Sequence, residues 1–221
     1  MSHPVSPPVP LRVAALVLAA GAGSRMGHRP KCLLEIDGEA LLRRQVHAVW
    51  EAGVVSVVVV LGHHAERIAP VLTDLPVQLI RHPAPDQGQA SSLHLGLRAV
   101  LATADAVVVV LADQPLITAQ DVRDLLAAYA TRPPQTELVR PVVDGLPGNP
   151  VVFSCEVARA ILAAGPDTGG AQWQARHPTA VYRWATSNTH YRVDVDSMTD
   201  VATLAANTGV RLLWPADLVE A

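Results

Sequence analysis

The chain is poor in aromatic residues, in cysteine and, above all, in lysine. Aromatics make up 4% of its 221 positions, with a single Phe, although half of all residues are apolar. The core must therefore be built from Ala, Val and Leu, the makeup of helices packed on a buried parallel sheet. The two cysteines, Cys32 and Cys155, form no CxxC pattern; two reduced thiols in a cytoplasmic protein are the expectation. No apolar run approaches the roughly 18–20 residues of a membrane span. The opening "MSHPVSPPVP" lacks the charged start and apolar core of a signal peptide and reads as a disordered lead-in over residues 1–10. The formal net charge of −3 comes with no basic block, which argues against a nucleic-acid partner. Of the seventeen basic residues every one is arginine except Lys31. Lysine offers a compact point charge where arginine offers a planar fork.

What is present is an alternation of strands and helices. Apolar runs predict strands at 13–18, 54–61, 77–80 and 106–112. Between them, helices are predicted at 40–53, 65–72, 91–102 and 118–130, the last with Thr118 and Asp121 at capping-box spacing. The later half predicts strands at 137–143, 150–153, 180–185 and 191–195, and helices at 155–165 and 197–207. This is an α/β pattern: a single Rossmann-like three-layer domain with a mostly parallel sheet, spanning 11–221. A nucleotide-binding half is expected over about 11–118 and an acceptor-binding half over about 119–221. Ligands of such sheets lie at the carboxyl ends of the strands.

After the first strand, Gly21, Gly23 and Gly27 give GxGxxxG. A dinucleotide fingerprint requires GxGxxG and an acid at the tip of the next strand. Here the third glycine comes one place late, and the next strand ends in Leu61-Gly62 followed by "HHAE". A P-loop is excluded because no GKS or GKT is present. What remains is a loop whose backbone N–H groups can wrap polyphosphate oxygens, with Arg25 and Lys31 supplying positive charge. Asp113, at the end of an apolar strand, and Asp194, with Asp196 two residues on, are carboxylates suited to a hard cation. His63-His64 reads as plain loop, and Trp173, Trp184 and Trp214 read as packing residues.

The stretch "LAAGAGSRMG…K" (18–31) resembles the LAAGxSxRMGxxK signature of nucleotidyltransferases, with one residue inserted before Lys31 and Gly23 at a variable position. Further along, "GQASSLHLGL" (88–97), "LADQPLIT" (111–118), "GLPGNPVVF" (145–153) and "DVDSMTDVATL" (194–204) are similar, in order, to motifs of the molybdenum cofactor cytidylyltransferase family. That family lies within the MobA-like NTP transferase superfamily. The departures are Asn149 where histidine is usual and Gln172 where an arginine is usual.

The resemblance implies a nucleotide-diphospho-sugar transferase-like fold that moves CMP from CTP to the phosphate of molybdopterin, releasing pyrophosphate. Mg²⁺ or Mn²⁺ would be the cofactor, and CTP and molybdenum cofactor the substrates. A molybdenum hydroxylase is the implied client, with no nucleic acid or membrane partner. Lys31, Arg25 and Asp113 would be catalytic. Leu18, Ala19, Ala20, Gly21, Gly23, Ser24, Gln87, Gly88, Gln89, Ser91 and Ser92 would join them in holding nucleotide. The acceptor would lie against Gln114, Pro115, Gly148, Asn149, Pro150, Gly169 and Gly170. The metal would sit on Asp113 and Asp194, with Asp196 as the alternative second ligand. Other readings are a different phosphorylated acceptor, GTP as donor, or a carrier of molybdenum cofactor.

Overall fold

The runs of Val, Ala and Leu become the central strands of an eight-stranded sheet in the computed structural model, which describes residues 11–219. The lead-in expected over 1–10 lies outside the described residues. In chain order the first elements are β1 (Val13–Ala19), β2 (Glu35–Ile36), β3 (Glu39–Ala40), α1 (Leu41–Glu51), β4 (Ser56–Leu61) and α2 (Ala65–Ile68). Then come β5 (Gln78–Arg81), α3 (Gln89–Val100), β6 (Ala106–Leu111), α4 (Ala119–Ala130), β7 (Leu138–Val143) and β8 (Leu146–Pro147). The chain continues through β9 (Val151–Ser154), α5 (Cys155–Ala163), α6 (Gly170–Arg176), β10 (Val181–Ala185), α7 (Met198–Thr208) and α8 (Ala216–Val219).

The strand order is β10-β7-β9-β6-β1-β4-β5, with β8 folded back on the end of β7. Pairings of β1 with β4 and β6, of β4 with β5, and of β10 with β7 are parallel. Only β9, between β6 and β7, and the short β8 run against their neighbours in this sheet. Side chains of the central strands alternate between two cores, as a period of two requires. Ala15, Val17 and Ala19 of β1 join Leu42, Val46 and Val49 of α1 and Leu125 and Tyr129 of α4. Ala14 and Leu16 join Leu93 and Leu97 of α3 and Val157 and Ile161 of α5 on the opposite face. The result is three layers, helix on sheet on helix.

Two features of the topology place the site. Strand order reverses at β1, whose later neighbours β4 and β6 stand on either side of it. Leu18 and Leu111 are register partners, so the loops after β1 and β6 leave the sheet side by side. Because β9 is reversed, its leading residues, next to Asn149, also reach that end, with Val151 opposite Val109.

Thr118 caps α4 through a complete capping box with Asp121, as its spacing predicts, and Ser197 with Asp200 does the same for α7. The strand expected at 191–195 does not form. Thr189–Arg192 is a 3-10 turn, and the segment after it is extended without a ladder, tied to the loop after β6 by a bond from Val195 N to Asp113 O at 3.0 Å. The apolar alternation there has another origin: Tyr191 and Val195 are buried in separate small clusters. The helix expected over 65–72 is α2 continued by a 3-10 turn at Ala69–Leu72.

Candidate functional site

The loop after β1 is a tight, pinned turn. Gly23 adopts a left-handed φ of 64°, and a Cβ there would stand 2.0 Å from Arg29 O, so the position requires glycine. Gly23 O accepts from Met26 N at 2.8 Å and from His28 N at 3.0 Å. Arg29 ties the loop down, donating to Met26 O and Leu218 O with its guanidinium 4.5 Å from the Trp214 ring centroid. Met26, Leu34 and Ile36 pack with Val195, Val201 and Leu204. This cluster draws the segment carrying Asp194 and Asp196 against the loop.

Lys31 is the electrostatic centre. Its Nζ lies 2.5 Å from both Asp113 Oδ2 and Asp196 Oδ1. Arg25 donates to the other oxygen of Asp196 at 2.8 Å. Burial opposes the charge on Lys31, but Asp113 and Asp196 outweigh it and hold the ammonium above its ordinary pKa. Burial likewise opposes ionisation of Asp196, and Lys31 with Arg25 outweighs it, keeping that carboxyl below the usual range. Asp194 goes the other way: burial, then the charges of Asp113 and Asp196, push it up. Cys32, next to Lys31, is buried, and burial pushes its thiol up to about 12, so it is a core residue and not a nucleophile.

These groups border a cavity of about 570 Å³ lined by Leu18, Ala19, Ala20, Gly21, Arg25, Lys31, Gly88, Gln89, Ser92, Asp113, Asp194 and Asp196. A Cβ on Gly21 would meet nothing within 4 Å, leaving that rim open. A second cavity of about 500 Å³ shares Leu18, Gln89 and Leu111 with the first and is lined further by Gln87, Asn149, Gly169 and Gly170.

Other sequence candidates lie in the framework. Gly23 shapes the turn, and Ser24 is exposed within it. Ser91 is turned to His82 and Gly88 O. Gln114 is buried, its Nε2 bonded to Asn149 O and Tyr191 O; Pro115, which follows it, and Pro150, which follows Asn149, are also buried. A Cβ on Gly148 would meet Tyr191 O at 2.6 Å. Conversely, His63, Asp86, Arg140 and Asp167 line the two cavities and are absent from the sequence-derived set. Arg140 interrupts an apolar strand, which is a signal in the sequence; His63, beyond the tip of β4, stands in a His pair that carries none.

A divalent cation fits the carboxylates. Asp113 Oδ1 is buried without a hydrogen-bond partner, and Asp194 sits among like charges that a cation would relieve. Among the described residues no group of three or more His, Cys, Asp or Glu side chains gathers as a metal cage. Mg²⁺ usually takes one or two protein carboxylates together with phosphate oxygens and water.

Residues 15–181 match the MobA-like NTP transferase domain. The chain belongs to this family. Its sequence is also similar to that of the bifunctional protein GlmU of Mycobacterium avium, 36% identical over 140 residues, which covers 59% of this chain and 28% of that protein. The chain therefore matches little more than a quarter of that relative's length. Solved structures share the fold as well. A nucleotidyl transferase from Methanothermobacter superimposes with a TM-score of 0.72 at 24% identity, covering 87% of this chain and 95% of the other. A Mycobacterium tuberculosis H37Rv protein solved in complex with manganese superimposes with a TM-score of 0.71 at 24% identity, covering 89% of this chain and all of the other. No described helix is long and apolar enough to cross a membrane.

Proposed function

We propose that the protein is a metal-dependent nucleotidyltransferase that moves CMP from CTP to the phosphate of molybdopterin, releasing pyrophosphate. The observation that carries the reading is the convergence of Lys31, Arg25, Asp113, Asp194 and Asp196 on one cavity that shares wall residues with a second. CTP and molybdopterin rest on the motifs at 88–97, 111–118 and 145–153.

The reaction forms a bond from an acceptor phosphate oxygen to the α-phosphorus and breaks the bond from that phosphorus to the β-phosphate oxygen. Little covalent work falls to the protein; alignment and charge neutralisation dominate. The backbone of Ala20 and Gly21 borders the place for the triphosphate. Lys31 and Arg25 offset charge building on its oxygens, where cations held in place beforehand act most strongly. Asp196 holds both cations in position. Asp113 with Asp194 would hold Mg²⁺ or Mn²⁺, which when bound would supply Lewis-acid polarisation of the phosphates. Gly88, Gln89 and Ser92 face the nucleoside end, and Asn149, Gly169 and Gly170 the acceptor end.

A second reading, a different phosphorylated acceptor, is favoured by Gln172. Its Oε1 accepts from Gly169 N at 3.1 Å, so this side chain caps α6 where the resemblance would have an acceptor-facing arginine. The test is incubation with Mg²⁺, molybdenum cofactor and each of the four NTPs, measuring pyrophosphate. Release with CTP is expected. Release only with another phosphorylated acceptor selects the second reading, and no release with any NTP and acceptor overturns both.

A further inference from the structure

Beyond the acceptor cavity lies a pair of arginines that the reaction chemistry does not use. Arg140 of β7 and Arg183 of β10 are direct register partners on adjacent parallel strands, and their side chains share one face. Val142 and Val181 lie on the same face, which α6 borders with Ala171, Gln174 and Ala175 around a cavity of about 280 Å³. Like charges directly opposite one another weaken a sheet. Among the described residues no carboxylate lies within the 4.0 Å of a salt bridge from either arginine. Arg140 donates from Nε to Gly148 O at 3.2 Å and from Nη1 to Gln174 Oε1 at 3.1 Å. No described residue accepts from its Nη2. Burial and then the charge of Arg183 push its pKa down, as expected for a cation held without a counter-charge.

Arg140 also lines the second cavity, with Asn149, Gly169 and Gly170. The three cavities are neighbours: the first and second share Leu18 and Gln89 in their walls, and the second and third share Arg140, with Arg183 lining the third. We propose that Arg140 and Arg183 form an oxyanion subsite for the end of the acceptor remote from the attacking phosphate, so that the acceptor carries a second anionic group of phosphate or carboxylate type, a chemistry that fits the second reading, a different phosphorylated acceptor, and not the pterin end of molybdopterin. Two guanidinium forks side by side suit such a planar or tetrahedral oxyanion. The assignment to the acceptor rests on the nucleotidyltransferase reading; anion binding by the pair does not.

The experiment has two arms. In the first, the full chain with isotope-labelled arginine is titrated with inorganic phosphate and followed by NMR at each Nε–H. The Arg140 and Arg183 signals are expected to shift together and saturate, and Arg183→Gln should weaken the Arg140 response about tenfold, the loss of one charge-assisted contact. Unmoved signals, or an Arg183→Gln protein that binds phosphate like the parent, would overturn the subsite. Arg183 is exposed, so this variant should fold. In the second arm, Arg183→Gln should raise the acceptor KM about tenfold while leaving the NTP KM unchanged. An unchanged acceptor KM overturns the assignment to the acceptor. If no acceptor supports turnover, the enzyme reading fails, and the phosphate titration alone still decides whether the arginines bind an anion.

Discussion

Lys31 concentrates the chemistry of this site in one atom. Its Nζ meets two carboxylates that are 83 residues apart in sequence. Lys31→Ala is expected to lower pyrophosphate release on the order of 100-fold, the scale on which a preorganised charge-stabilising group acts. Near-parental turnover would move the site elsewhere. Asp194 offers a test in stability. Burial and its acidic neighbours raise its folded pKa, so the folded state holds a proton there more tightly than the unfolded chain does. That contribution is fully present below the unfolded value of about 4 and lost as pH rises through the folded one. Asp194→Asn should therefore raise Tm at pH 7, with the gain shrinking as the solution is acidified past the carboxylate range. Added Mg²⁺ should raise Tm of the parent more than that of the variant, because binding to the folded state stabilises it. Equal shifts would remove Asp194 from the metal site. Lys31 and Asp113 drew attention because each stands where a glycine turn or a strand ends, and Asp194 through the motif resemblance at 194–204. His63 was not, because an adjacent His pair in a loop looks the same whether or not a cavity lies beside it.

The elements most open to sequence reading were those with local rules. Thr118 and Asp121 announce the start of α4, and both bonds of the box are made. Thr118→Ala should cost about 1 kcal/mol in denaturant unfolding, with an unchanged m-value. Gly96 carries a rule that is not local. A Cβ there would stand 2.2 Å from Leu16 Cδ1, because α3 lies directly on β1. Gly96→Ala should destabilise by about 1–3 kcal/mol although alanine is the better helix former. A neutral or stabilising result would show that α3 shifts to make room. The same distinction explains the misread segment at 191–195. Its alternating pattern is real, but Tyr191 and Val195 bury their side chains in different clusters, and no neighbouring strand offers a ladder. The hairpin β2–β3 and the seven-residue α6 are too short to show a period.

At the scale of the whole molecule, the mostly parallel sheet was readable, since continuous Val-rich strands imply cover on both faces. The reversal of β9 was not, because direction leaves no mark on composition. It nevertheless carries Asn149 to the end of the sheet where β1 and β6 open. Native-state hydrogen exchange should be slowest in β1, β4 and β6, which are paired on both sides and buried, and faster in the edge strands β5 and β10. Uniform protection across the sheet would contradict this layered order. The loop at Lys31 is closed by residues far along the chain: Asp196 lies 165 positions on, and the carbonyl that receives Arg29 lies 189 positions from it. On a ribosome adding roughly 5–20 residues per second, a lysine already outside the exit waits on the order of ten to thirty seconds for Asp196. Through that interval the glycine turn, its cations and the first two strands exist as a nascent chain without the acids that hold them. The pocket closes only once Asp196 is made, long after the glycine turn and the Lys31 that it holds.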